Sequence, residues 1–258
     1  MSETLRPQIV LSALPHFPLI QPGDYLVAII LQGLREASLE LRDDDVLVLA
    51  SKIVSKAEGR TVALNSVEPG ARAKELGERT GKDTREIELM LRESTEVVRA
   101  RPGLIITRHK LGFVSANAGI DHSNVAPGES ECVILLPEDP DASARELRER
   151  VNQETGRHVG VIIADSHGRP HRLGTVGVAI GAAGLPAVED WRGREDLFGY
   201  TLQHTEIGLA DMIASAATLL LGQAREGTPI VHVRGVVHSP GEGAARDLIR
   251  PREMDLFQ

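Results

Sequence analysis

The chain has 258 residues, 41% of them apolar and only 3% aromatic, with a formal net charge of −8. That length supports one large domain or two modest lobes, with a core built from Val, Ile, Leu and Ala. The acidic balance and the scarcity of aromatic rings exclude a phosphate-tracking, base-stacking nucleic-acid surface; an anionic ligand would need local compensation from metal ions or a few cationic side chains.

In chain order, Met1-Ser2-Glu3 carries no basic-then-apolar leader pattern. The apolar runs from Leu26 to Leu31 and from Ala216 to Leu221 are too short to cross a bilayer. Cys132 is the only cysteine, so no disulfide forms within the chain and a reducing cytoplasm is the expected setting. Asp24 to Leu34 reads as a short amphipathic helix. Val46 to Ala50 reads as a buried strand that empties into the segment from Ser51 to Arg60. The pattern predicts a helix from Thr84 to Ala100, with Ile87, Met90, Leu91 and Val98 on one face and Pro102 ending it. Leu104 to Thr107 and Phe113 to Ala116 read as paired strands around Gly112. Ser143 with Glu146 forms a capping-box pattern for a helix ending at Gly156. A buried strand, Val159 to Ala164, then runs straight into Asp165. A glycine-rich stretch follows, then a helix from Glu206 to Leu221 and a strand from Pro229 to Val233. Strands and helices mix without a regular βαβ rhythm, so the expected class is α+β: an unusual mixed fold, in one unit or two intimately packed lobes, neither Rossmann nor P-loop.

Familiar nucleotide motifs fail. Gly77-Glu78-Arg79-Thr80-Gly81-Lys82-Asp83 has three residues between its glycines where a phosphate loop needs four, and Asp83 stands where a magnesium-binding hydroxyl belongs. The glycines after Gly174 do not match the dinucleotide fingerprint. His167 and His171 are separated by Pro170 and cannot form a helical zinc pair.

Three segments keep a chemical reading. Asn117 to Asn124 places Asp121 among small residues after a strand, which suits either a hard cation or an Asx-type turn. Asp165-Ser166-His167-Gly168-Arg169 sets a carboxylate at a strand end, a hydroxyl for a magnesium shell and a guanidinium fork for phosphate or carboxylate; the alternative is a capped strand-to-loop junction. Ser51, Lys52 and Lys56 supply hydroxyl and ammonium groups for a polyphosphate, or simply a solvated loop. Glu206 and Asp211 near a helix start serve either its dipole or a metal.

Taken together, these segments resemble the coenzyme F420-0:γ-glutamyl ligase family. The resemblance rests on Pro18-Leu19-Ile20, Ser55 to Arg60, Asn117 to Asp121, Asn124, Gly160 to Asp165, Gly177 to Gly181 and Asp190 to Gly199, and spans residues 12–236, leaving 1–11 and 237–258 as terminal extensions. It implies an α+β homodimer that uses GTP and two divalent ions, Mg2+ or Mn2+, with K+ as a candidate accessory ion and no flavin. The implied reaction adds L-glutamate in γ linkage to coenzyme F420-0 through an acyl phosphate. Carried over residue by residue, Asp121, Asp165, Ser166 and Glu206 match metal ligands. Pro18, Leu19, Ile20, Ser51, Lys56 and Asn124 match GTP contacts, and Arg169 balances charge at the reacting groups. This chain departs from the family at His167, where asparagine is usual, at Phe17, where leucine is expected, and at Met212, where an acid is common. The residues leave two rival readings: a metal-dependent phosphohydrolase using the same aspartates, or a nucleotide or metal sensor without catalysis. No nucleic-acid or membrane partner is expected.

Overall fold

The computed structural model of the chain describes residues 7–122 and 131–255. The first half runs β1 (Val10–Ala13), α1 (Leu26–Glu36), β2 (Val46–Ala50), α2 (Ser51–Ala57), β3 (Thr61–Ala63), α3 (Ala71–Thr80), α4 (Thr84–Arg92), β4 (Ser94–Arg101), β5 (Leu104–His109) and β6 (Val114–Ala116). The second half runs β7 (Cys132–Ile134), α5 (Pro140–Thr155), β8 (Gly160–Gly168), β9 (Thr175–Ala183), β10 (Glu189–Asp190), β11 (Glu206–Ile207), α6 (Leu209–Leu221) and β12 (Ile230–Arg234). The α+β expectation holds.

The central sheet has the order β1-β12-β2-β8-β9. Only β2 and β8 pair in parallel; the other neighbours are antiparallel. β2 is apolar at every position because both faces of the sheet are covered. Leu47 and Leu49 turn into a core shared with α1 and α5, while Val46 and Val48 turn into one shared with α6. β8 repeats the division, with Val161 and Ile163 on the first side and Ile162 and Ala164 on the second.

The close fit of α5 and α6 against β9 explains two of its glycines. A Cβ at Gly177 would lie 1.9 Å from Thr218 Oγ1, and one at Gly181 would lie 2.2 Å from the Pro140 carbonyl oxygen. Only a residue without a side chain lets those helices approach.

A second sheet, β4-β5-β6, packs with α3 and α4 around Leu76, Ile87, Met90 and Ile105. Here the structure corrects the sequence. The expected helix from Thr84 to Ala100 stops at Arg92, and Ser94–Arg101 is a strand paired antiparallel with β5. Thr95, Val97 and Val98 are β-branched, and the Pro102-Gly103 turn lets the chain double back onto β5, so sheet pairing overrides the helical period. The stretch from Ser51 is likewise a helix where the sequence suggested a loop, and the glycine-rich stretch is strand β9. Gly77 lies inside α3 and Gly81 caps it at φ 69°, so that segment is a helix end and not a phosphate loop.

Candidate active site

The parallel pairing of β2 and β8 decides where the chemistry gathers. Ala50 stands opposite Ala164, so both strands deliver their next residues to the same edge. That carboxyl-end edge is where open sheets with parallel strands expose functional side chains. Ser51 Oγ donates to Asp165 Oδ1 at 2.9 Å. One residue before Asp165, the pairing of β8 with β9 slips: Ile163 faces Gly181 and Ala164 faces Ala179, leaving Ile180 as a bulge. Such a bulge adds local twist and re-aims the residues beyond it.

A cleft of about 680 Å³ opens at this edge. Its walls come from the Pro18–Ile20 loop, the start of α2, the turn after β6, the end of β8 and the loop 222–229. Pro18, Leu19, Ile20, Ser51, Lys52, Lys56, Asp121, Asp165 and Ser166 all line it. Leu19 is exposed while Ile20 is buried in the core, which anchors the loop. The Gly23 N–H, donating to the Ala57 carbonyl at 2.8 Å, ties the loop to the end of α2.

Asp121 reaches the cleft through an unusual turn. Asn117, Ala118 and Gly119 all have positive φ, at 51°, 54° and 67°. Three left-handed residues in a row are costly, and here they are held by packing and hydrogen bonds. Ala118 is buried in the α3–α4 core, and the Asn117 side-chain oxygen accepts the Ile105 N–H. Asp121 itself exchanges two backbone hydrogen bonds with Ile134, at 3.1 and 2.8 Å. Its carboxylate meets Lys52 Nζ at 2.7 Å. The Asp121 side chain thus meets a cation at the cleft wall.

Sequence reasoning missed the loop after α6. Gly222, in a left-handed conformation at φ 73°, turns the chain back across the cleft. Gln223 Nε2 then donates to Ser166 Oγ at 2.9 Å. Glu226 lines the same wall and accepts the Ala224 N–H. The signal available was a run of polar residues bounded by Gly222, Gly227 and Pro229 directly after a helix.

Two expected residues stand elsewhere within this chain. Glu206 lies on β11, before α6 begins at Leu209, and its exposed carboxylate meets Arg192 Nη2 at 3.4 Å. Arg169 lies beyond the cleft wall, with Nη2 near the Leu173 carbonyl oxygen at 3.4 Å. Asn124 lies outside the described residues.

The oxygen donors lining the cleft include three carboxylates, Asp121, Asp165 and Glu226, the Ser166 hydroxyl and the Gln223 amide, and His167 adds a ring nitrogen. Among the described residues, no three His, Cys, Asp or Glu side chains stand close enough to hold a metal by themselves. The oxygen donors would suit a magnesium-type ion, which keeps several waters and takes one or two carboxylates plus substrate phosphate oxygens. They do not fit a structural zinc site, which needs four closed ligands.

Comparison with known proteins gives the chain a family. The model of the F420-0:gamma-glutamyl ligase family matches residues 16–235. The chain belongs to this family. The coenzyme F420:L-glutamate ligase of Methanopyrus kandleri is 48% identical over 256 residues, covering 98% of both chains. Its counterpart from Methanothermobacter thermautotrophicus is 43% identical over 97% of this chain and 99% of its own. That of Archaeoglobus fulgidus is 44% identical over 93% of each. In this ligase, then, the matched span includes the cleft walls from Phe17 to Pro229. Among the described residues, no helix is long and apolar enough to cross a membrane.

Proposed function

We propose that the cleft joins L-glutamate to the terminal carboxylate of coenzyme F420-0 in γ linkage, at the expense of GTP. The observation that carries this reading is the convergence of Asp121, Asp165 and Ser166 with Lys52 and Lys56 in one cleft of about 680 Å³. Membership of the ligase family supports it independently.

A carboxylate and an amine do not condense usefully in water, so the carboxylate must be activated. A carboxylate oxygen of F420-0 attacks the γ-phosphorus of GTP, and the bond to the β-γ bridging oxygen breaks, releasing GDP. The deprotonated amine of glutamate attacks the acyl carbon; the C–O bond to phosphate breaks and inorganic phosphate leaves. Two divalent ions, Mg2+ or Mn2+, held by Asp121, Asp165 and Ser166, supply charge neutralisation when bound. Lys56 faces the nucleotide phosphates from α2, and Lys52 holds Asp121 in place. The Pro18–Ile20 loop contributes exposed Leu19 as an apolar contact for the base. Among the described residues, the cleft contains no nucleophile activated by a histidine, so the substrate and not the enzyme is acylated.

The ligase is expected to work as a homodimer. The resemblance to the family is the warrant, and the almost fully exposed Leu173, Leu197 and Phe198 are candidate contacts for a second copy. Light scattering that gives only a 27.9 kDa species would count against this.

The reaction class is tested with heavy oxygen in the acceptor's terminal carboxylate. Released phosphate should carry one heavy oxygen per amide formed. A phosphohydrolase would release unlabelled phosphate, and a sensor almost none. Amide accompanied by unlabelled phosphate would rule out the acyl phosphate.

A further inference from the structure

Asp165 Oδ1 is taken by Ser51, and its other oxygen is approached from two residues further along β8. His167 Nε2 lies 3.0 Å from Asp165 Oδ2. The His167 side chain is only 10% exposed, and the buried Nε2 has no well-aligned hydrogen-bond partner, so this contact is a short electrostatic one slightly off the line of a full bond. The ring is wedged in place. Phe113, just before β6, packs against it with ring centroids 4.7 Å apart, and also stacks against His109 at 5.2 Å and 12° between planes. His109 is buried at the end of β5. Phe113 also lines a second, smaller cavity of about 230 Å³ between the hairpin and α5, whereas His167 lines the main cleft. Phe113 thus borders the smaller cavity while touching the ring that lines the main cleft. Without it, the His167 ring has room to swing away from Asp165.

We propose that His167 is a positioning residue: with Ser51 it clamps the two oxygens of Asp165, and Phe113 locks its ring so that the carboxylate presents one fixed direction to a divalent ion. The role rests on the reading of Asp165 as a metal ligand. Groups that hold a ligating carboxylate typically alter metal affinity by 10- to 100-fold when removed. The imidazole acts here by geometry, holding Nε2 3.0 Å from Asp165 Oδ2, and a side-chain amide can take its place. The charged and titratable groups around the wedge are Asp165, His109 and, more remotely, Asp211 on α6.

The test is Mn2+ binding to the full-length chain without nucleotide, followed by the free-ion electron paramagnetic resonance signal. Asp165→Asn should lose the tight site. His167→Leu should weaken binding about tenfold or more, and His167→Asn should stay within about threefold of the parent. Phe113→Leu, which keeps apolar volume but not the ring, should weaken Mn2+ binding by a smaller factor and carries the test should His167→Leu fail to fold. Saturating Mn2+ should restore the ligation rate of both Leu variants, which a general loss of structure would not allow. Parent-like affinity in both Leu variants, with Asp165→Asn lacking the site, overturns the positioning role and leaves the metal assignment standing. Loss in His167→Asn equal to that in His167→Leu overturns the polar contact as the means of positioning. Parent-like binding by Asp165→Asn removes the metal assignment and this inference with it.

Discussion

Ser51 and Asp165 are 114 positions apart in the chain, yet their side chains meet at 2.9 Å because they directly follow Ala50 and Ala164, the last pair of the parallel β2–β8 ladder. The contact joins the first turn of α2 to the end of β8 at the floor of the cleft. Asp165→Asn removes the anionic oxygen that a hard cation needs and should abolish ligation while circular dichroism stays unchanged. Ser51→Ala should lower kcat/KM about tenfold, with a stability cost of about 1 kcal/mol for one lost hydrogen bond. Folded Asp165→Asn protein with near-normal turnover at low metal would end the assignment of that residue.

The two lysines of α2 should separate by function. Lys56→Met keeps the apolar stem, removes the charge and should raise the KM for GTP with little change in the KM for glutamate. Lys52→Met leaves Asp121 without the ammonium now 2.7 Å away and should alter the metal requirement instead. That pair is partly exposed, 24% and 42% for the two side chains, so its loss should change stability by less than about 1 kcal/mol. Urea midpoints and separate KM determinations check both. An unchanged KM for GTP in Lys56→Met, with glutamate affinity falling, would show that the lysine serves the other substrate.

His109 gives stability a dependence on mild acid. Burial, with Lys110 and Arg60 nearby, holds its pKa down to about 4 from the ordinary 6.5. A lowered imidazole pKa means that the unfolded chain binds the proton first, so its contribution to stability is complete above pH 6.5. That contribution shrinks as pH falls from 6.5 towards about 4, by up to ~3 kcal/mol. His109→Phe should flatten the stability profile over this window while preserving the stack on Phe113. Chemical denaturation at several pH values between 4 and 7 checks it, and parallel profiles for the two proteins would refute it.

At the opposite end of β2, Asp45 is buried and holds the sheet together. Its carboxylate receives Arg234 Nη2 at 2.6 Å and Nε at 2.9 Å and meets His232 Nε2 at 2.8 Å, all from β12. Burial raises its pKa, but the hydrogen bonds from Arg234, His232 and the Arg42 N–H outweigh that and leave it below the usual value of 3.8. The stabilisation is therefore present above pH 3.8 and is lost as pH falls through the lower folded value. Asp45→Ala strands the Arg234 guanidinium and leaves the buried His232 ring without its carboxylate, and should cost about 3 kcal/mol, read as a lowered urea midpoint with unchanged KM values for a site at the other end of the strand.

Much of the fold was legible because the signals were local. β2 appears in the sequence with its observed limits, since five apolar residues between Asp45 and Ser51 have few other uses. The hairpin of β5 and β6, and the end of α5 at Gly156, also follow from short-range rules: a glycine-centred turn between β-rich runs, and a glycine at φ 69°. Residues 94–101 misled because a helical period and β-branched composition coincide there, and only the presence of β5 alongside decides between them.

The same division runs through the cleft. Sequence alone selected Pro18 to Ile20, Ser51, Lys56, Asp121, Asp165 and Ser166 by residue type and family pattern, and all of them line one cavity. It gave no register for Gln223 and Glu226, and it placed Glu206 at a helix start that lies three residues further on, at Leu209. Nor does any spacing show that Lys52 meets Asp121, or that Phe113 locks the ring beside Asp165. Hydrophobic period and turn chemistry are properties of neighbouring residues, so one sequence states them. Which strand ends share an edge, and which loop crosses it, depends on contacts between segments a hundred or more residues apart, and those exist only once the sheet has paired.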